Sequence, residues 1–107
     1  MIVRAFDMLY NFRTLKSFFS DKNKFIQLKV LTYNNLSCIY KQLGKLPLAL
    51  KAVTNALALE EQLVSDNYGI SRKEIVSTYL NRSAILSLIN RHDKAIDALN
   101  TALYYLK

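Results

Sequence analysis

A chain of 107 residues, 51% hydrophobic and 21% charged, holds enough apolar material for one packed domain and is not globally disordered. Two glycines and one proline leave too little turn chemistry for an all-β chain. The net charge of +7 would suit nucleic acid or an acidic partner, but the lysines are scattered at helical spacing, which fits solvated helix faces better.

Ala5, Phe6, Leu9, Phe12, Leu15 and Phe19 recur at three- and four-residue steps and predict a helix over residues 2–19. Arg4, Asp7 and Arg13 interrupt that stretch, which argues against a secretory signal. Asp7 also counts against a mitochondrial presequence. The polar run Ser20-Asp21-Lys22-Asn23 stops this helix and caps a second over residues 24–43. The second carries the stripe Phe25, Leu28, Leu31 or Thr32, Leu36, Ile39, Tyr40 and Leu43. Gly44 follows, where a left-handed backbone favours glycine.

Pro47, with its fixed φ and missing N–H, suits the first turn of a third helix over residues 47–64. A loop over residues 65–69 comes next, and Ser71-Arg72-Lys73-Glu74 has the form of a capping box opening a fourth helix that extends to residue 89. After the turn Asn90-Arg91-His92, Asp93 can cap a last helix ending near residue 106. Sustained period-2 alternation is absent, so the expected class is all-α with about five helices. No apolar run approaches the roughly 20 residues of a membrane span. Cys38 is the single cysteine, which excludes an intrachain disulfide and favours a reducing, cytoplasmic setting.

The helices repeat. Ala49, Val53, Ala56 and Leu59 of the third match Ala95, Leu99, Ala102 and Tyr105 of the last in size class, 46 residues on. At the same offset Tyr33 pairs with Tyr79, Asn35 with Asn81, Ser37 with Ser83 and Tyr40 with Leu86. Small residues at Ser37, Ala49 and Ala56 would let two antiparallel helices approach closely, while larger Tyr and Leu side chains fill the space toward the next pair.

The run from Tyr33 through Leu36, Ser37 and Tyr40 to Gly44, completed by Ala49, Val53 and Ala56, resembles the tetratricopeptide repeat. A second copy runs from Tyr79-Leu80-Asn81-Arg82-Ser83-Ala84 through Asp93-Lys94-Ala95-Ile96 to Ala102. The spacing of 46 exceeds the roughly 34 of the plain repeat and is similar to the long-repeat type of kinesin light chain-like adaptors. The resemblance implies a single domain, a short right-handed superhelix of stacked helix pairs. Residues 24–64 and 71–106 would be full repeats, and residues 1–20 a half-repeat or capping helix.

Catalytic groups are sparse: one histidine, one cysteine, no phosphate loop and no metal-ligand cluster. The expectation is a non-enzyme without cofactors. His92 reads as a packing or turn residue, Cys38 as a half-buried filler, and the adjacent Glu60 and Glu61 point different ways around a helix, a poor acid–base pair. The resemblance implies a protein partner, a peptide or helix, held in a concave groove. By position that groove takes Leu31, Asn34, Asn35, Cys38, Lys41 and Gln42 from one repeat. Ser77, Leu80, Asn81, Ala84, Ser87 and Leu88 come from the next. Asn35 and Asn81 stand out, because an amide both donates and accepts toward a ligand backbone; the alternative is that each bridges neighbouring helices.

Asn81-Arg82-Ser83-Ala84 resembles the subgroup that grips chaperone carboxylate tails, but Leu31 stands where its first lysine would be. Tyr104, Tyr105 and Leu106 would form an end surface open to self-association or packing in a larger assembly, cytoskeletal or ciliary for instance. A basic nucleic-acid module is the disfavoured alternative; it would demand cations on one face and a steep salt dependence.

Overall fold

The computed structural model describes residues 22–66 and 72–106, and all regular structure among them is α-helical. Helix α1 spans Lys22–Gln42, α2 Leu46–Ser65, α3 Arg72–Leu88 and α4 His92–Leu106. These are the last four of the five expected helices; the first, over residues 2–19, lies outside the described residues. α1 pairs with α2 and α3 with α4, and the two pairs meet chiefly through α2 and α3.

Both tight turns use the same chemistry. Gly44 (φ 75°) and Asn90 (φ 64°), 46 residues apart, each take the left-handed conformation just past a helix. Around Gly44 the Lys45 N–H donates to the Tyr40 carbonyl (2.9 Å) and the Gly44 N–H to the Lys41 carbonyl (3.1 Å). Around Asn90 the Arg91 N–H donates to Leu86 (2.9 Å) and the Asn90 N–H to Ser87 (3.0 Å). This double closure satisfies carbonyls that the helix end leaves unpaired. The next helix then opens in the same way twice, with Ala49 N–H donating to Lys45 and Ala95 N–H to Arg91, both at 3.0 Å.

The helix crossings repeat as well. The Ser37 hydroxyl donates to the Ala49 carbonyl (3.1 Å) and the Ser83 hydroxyl to the Ala95 carbonyl (3.0 Å), both buried. A small residue with a donor allows close backbone approach and satisfies a carbonyl that the approach would otherwise desolvate. Ala49 and Ala56 are fully buried, as their size predicts. Three apolar clusters follow one another along the stack. Ile26 and Val30 pack with Ala56 and Leu63; Leu36 and Tyr40 pack with Ala49, Val53 and Ile85; and Leu57 packs with Ile75, Tyr79, Leu86 and Ala98.

Several boundaries and faces differ from expectation. Lys22 and Asn23 already lie within α1, and Pro47 is the second helical residue of α2 rather than the first. Asp93 lies inside the first turn of α4, whose entry residue is Arg91; an acid there still favours the helix dipole. Of the pair Leu31 and Thr32, the threonine is buried and the leucine is 59% exposed. Thr32 manages this because its hydroxyl donates to the Leu28 carbonyl (2.9 Å), as Thr78 does to Glu74 (3.1 Å). Leu43 is exposed rather than part of the stripe. Cys38 is exposed, not a half-buried filler, because Ser37 occupies the crossing point and the next residue is turned away. His92 is exposed too, which leaves it no packing role.

Candidate interaction groove and stack ends

α1 and α3 lie side by side, and side chains bridge them. Asn34 Nδ2 donates to Thr78 Oγ1 (3.2 Å), and Asn81 Nδ2 donates to Ser37 Oγ (3.3 Å). A third bridge joins the pairs from α2: the Tyr79 hydroxyl donates to Glu61 Oε1 (2.7 Å). Burial first, and then this bond to a carboxylate, push the Tyr79 phenol well above its ordinary value. Of the two readings of Asn81, the bridging one describes its amide donor.

Along these bridges runs an open groove of about 370 Å³, walled by Asn34, Cys38, Ser77, Asn81, Lys73 and Glu74. It continues into a cavity of about 290 Å³, which shares Asn34 and Glu74 and is otherwise walled by Leu28, Val30, Leu31, Leu63 and Glu60 with Gln27. The structure therefore brings together five of the twelve expected groove residues: Leu31, Asn34, Cys38, Ser77 and Asn81. Asn35, Gln42, Leu80, Ala84, Ser87 and Leu88 are exposed and Lys41 is half-buried, but none of these lines either space.

Glu60, Lys73, Glu74 and Thr78 were not among the expected site residues. Glu60 has no solvent exposure, and neither carboxylate oxygen has a hydrogen-bond partner. Burial pushes its pKa up to about 7; the neighbouring Glu74 and Glu61 carboxylates add to the rise and the Thr78 hydroxyl opposes it. The signal for it was present, since Glu60 falls in step with buried Val53, Ala56, Leu57 and Leu63. Glu61 does point elsewhere, into the bond with Tyr79.

The C-terminal end differs from expectation in its residues. Tyr105 is half-buried and stacks on Tyr79 with ring centroids 5.8 Å apart, so it belongs to the core, while Tyr104 and Leu106 are exposed. The uncovered stripe on α4 is Ile96, Leu99, Leu103 and Leu106. Its counterparts on α2 show what such positions do: Val53 and Leu57 are 0% and 5% exposed against the second pair, whereas Leu99 and Leu103 are 41% and 56% exposed. At the other end, Tyr33, Leu36, Tyr40, Leu48 and Ala52 line a depression of about 250 Å³.

Fold and register together define a helical-repeat protein. The family model of the tetratricopeptide repeat matches residues 30–63, the core of the first helix pair. No curated protein and no solved structure matches the chain. Tetratricopeptide repeats generally mediate protein–protein interaction and are typically not enzymes. No helix among the described residues is long and apolar enough to cross a membrane, and those residues contain no cluster of metal-ligating side chains.

Proposed function

We propose that the chain is a protein-interaction module, an adaptor or scaffold subunit without catalysis or cofactor. It holds a partner peptide or helix in the α1–α3 groove and packs against a neighbour through the α4 end. The observation that carries this reading is the repeat of turn, crossing and cap bonds at 46-residue spacing around the residues that match the tetratricopeptide repeat. A quasi-one-dimensional stack buries faces only against neighbours, so its ends and its concave side are the surfaces left for partners.

Several finer readings belong to the same proposal. The spacing supports the long-repeat type resembling kinesin light chain-like adaptors. The chain forms a single domain with a right-handed superhelical stack, residues 1–20 being a half-repeat or capping helix. The setting is cytoplasmic, and a structural subunit of a cytoskeletal or ciliary assembly is the alternative to an adaptor. The basic balance supports an acidic protein surface as one partner, engaged outside the groove.

The two surfaces separate by mutation. Ser77→Arg crowds the groove at an exposed position, and Leu99→Glu with Leu103→Glu places charge on the exposed stripe. Both variants should melt within a few degrees of the parent, since exposed changes seldom exceed about 0.5 kcal/mol. Partners identified with the parent should then be lost from one variant and retained by the other. Full retention by both would remove this reading.

A further inference from the structure

The cavity beside the groove has an unusual balance of donors and acceptors. Glu60 Oε1 and Oε2 and Asn34 Oδ1 are buried and without a hydrogen-bond partner. All three belong to side chains that line the same space, about 290 Å³. The Thr78 hydroxyl is near enough to oppose the rise in the Glu60 pKa, but its proton is directed at the Glu74 carbonyl and its oxygen accepts from Asn34. Glu74 at the shared wall adds a second negative charge. The rest of the wall is the amide-bearing Gln27 and hydrocarbon from Leu28, Val30, Leu31 and Leu63.

Buried acceptors without donors are unfavourable, and a buried carboxylate relieves that cost either by taking up a proton, as the raised pKa of Glu60 records, or by pairing with a cation. An aliphatic wall with an anionic floor matches a side chain with an apolar stem and a charged tip. It matches a divalent metal ion less well, since only two carboxylates line it and no cluster of three metal-ligating side chains is present among the described residues.

We infer that this cavity receives the side chain of a lysine or arginine from a partner segment lying in the α1–α3 groove, with Glu60 and Asn34 accepting hydrogen bonds from its cationic tip. The inference rests on the groove reading for the source of that side chain. It adds a local selectivity opposite to the acidic preference that the net charge of +7 would give: a basic anchor residue at one fixed position of the bound segment. Charge-assisted bonds are roughly twice as strong as neutral ones, so the anchor should discriminate sharply against uncharged residues of the same length.

Two measurements on the full chain test this. In the first, n-butylammonium and 1-butanol are titrated into isotope-labelled protein while the amide resonances of Leu28, Leu31 and Leu63 are followed. The ammonium should bind roughly tenfold or more tightly than the alcohol, and Glu60→Gln should abolish that preference without lowering the melting temperature. Leu31→Trp, substituted at an exposed wall position, should block both probes with Glu60 intact. Equal affinity for the two probes, the result for a cavity filled by water or by the chain's own side chains, overturns the inference, as does a preference that survives in Glu60→Gln.

The second measurement is selection from a peptide library. Enriched peptides should carry Lys or Arg at one fixed position with the parent chain and lose that bias with Glu60→Gln. Enrichment without a fixed basic residue overturns the inference and keeps the groove. An ammonium preference without any enriched peptide keeps the cation-binding pocket and removes the groove as its source of ligand.

Discussion

Single residues set two measurable properties of the fold. Burial carries the Glu60 pKa from 4.5 to about 7, so the folded state holds that proton more tightly than the unfolded chain. Its contribution to stability is therefore complete below about pH 4.5 and is lost as pH rises through about 7, an effect on the order of 3 kcal/mol. Urea midpoints for the parent should fall between about pH 5 and about pH 8, and Glu60→Gln should flatten most of that decline; parallel curves for the two would refute it. The left-handed positions give the second property. A Cβ at Gly44 meets nothing within 4 Å, so Gly44→Ala tests backbone strain alone and should destabilise by about 1 kcal/mol. Asn90→Gly should be neutral or stabilising by a few tenths of a kcal/mol, the opposite sign at the equivalent turn.

At the scale of elements, the helix crossing depends on Ser37, which gives its proton to Ala49 and accepts from Asn81. Ser37→Val overpacks a fully buried contact and should cost about 1–3 kcal/mol. Ser37→Ala should cost about 1 kcal/mol, and a double-mutant cycle with Asn81→Ala should show coupling. Additivity of the two would mean that the bridge between pairs carries no energy.

Much at this scale was legible beforehand. The apolar period gave the four described helices to within about two residues, and Ala49, Ala56 and Ser37 announced the close crossing through their size. Leu31 and Thr32 were not separable, because burying Thr32 depends on a bond to its own helix turn that hydrophobicity does not encode. Asn81 could be placed on the right face, but its bond to Ser37 depends on how far apart α1 and α3 sit. Glu60 was in register with the buried stripe; its charge set it aside from the core, although position rather than polarity decided its burial.

The described residues form a stack whose outer stripe on α4 is uncovered. The register makes this concrete, since Leu57 is covered by the second pair while its counterpart Leu103 is bare. A further element fitting that stripe would present a face like that of α3, with apolar side chains comparable to Ile75, Val76 and Tyr79. Truncation after Thr101 would be a poor probe of the end, because it removes buried Ala102 and the stacked ring of Tyr105 together with the exposed residues. Substitution of Leu99 and Leu103 isolates the surface instead.

α4 fully buries only Ala95, Ala98 and Ala102, with Tyr105 half-buried, whereas α2 buries Val53, Leu57 and Leu63 as well as its alanines. Alanine contributes little apolar area, so α4 is held less tightly than any helix packed on both sides. In native-state hydrogen exchange its amides should therefore open first, and α2 should open last; slower exchange in α4 than in α2 would contradict this. The same weakness makes α4 a built-in reporter. Whatever covers Ile96, Leu99 and Leu103 must suppress that opening in proportion to its free concentration relative to its Kd, so exchange from one helix can measure occupancy of the end before the occupant has been identified.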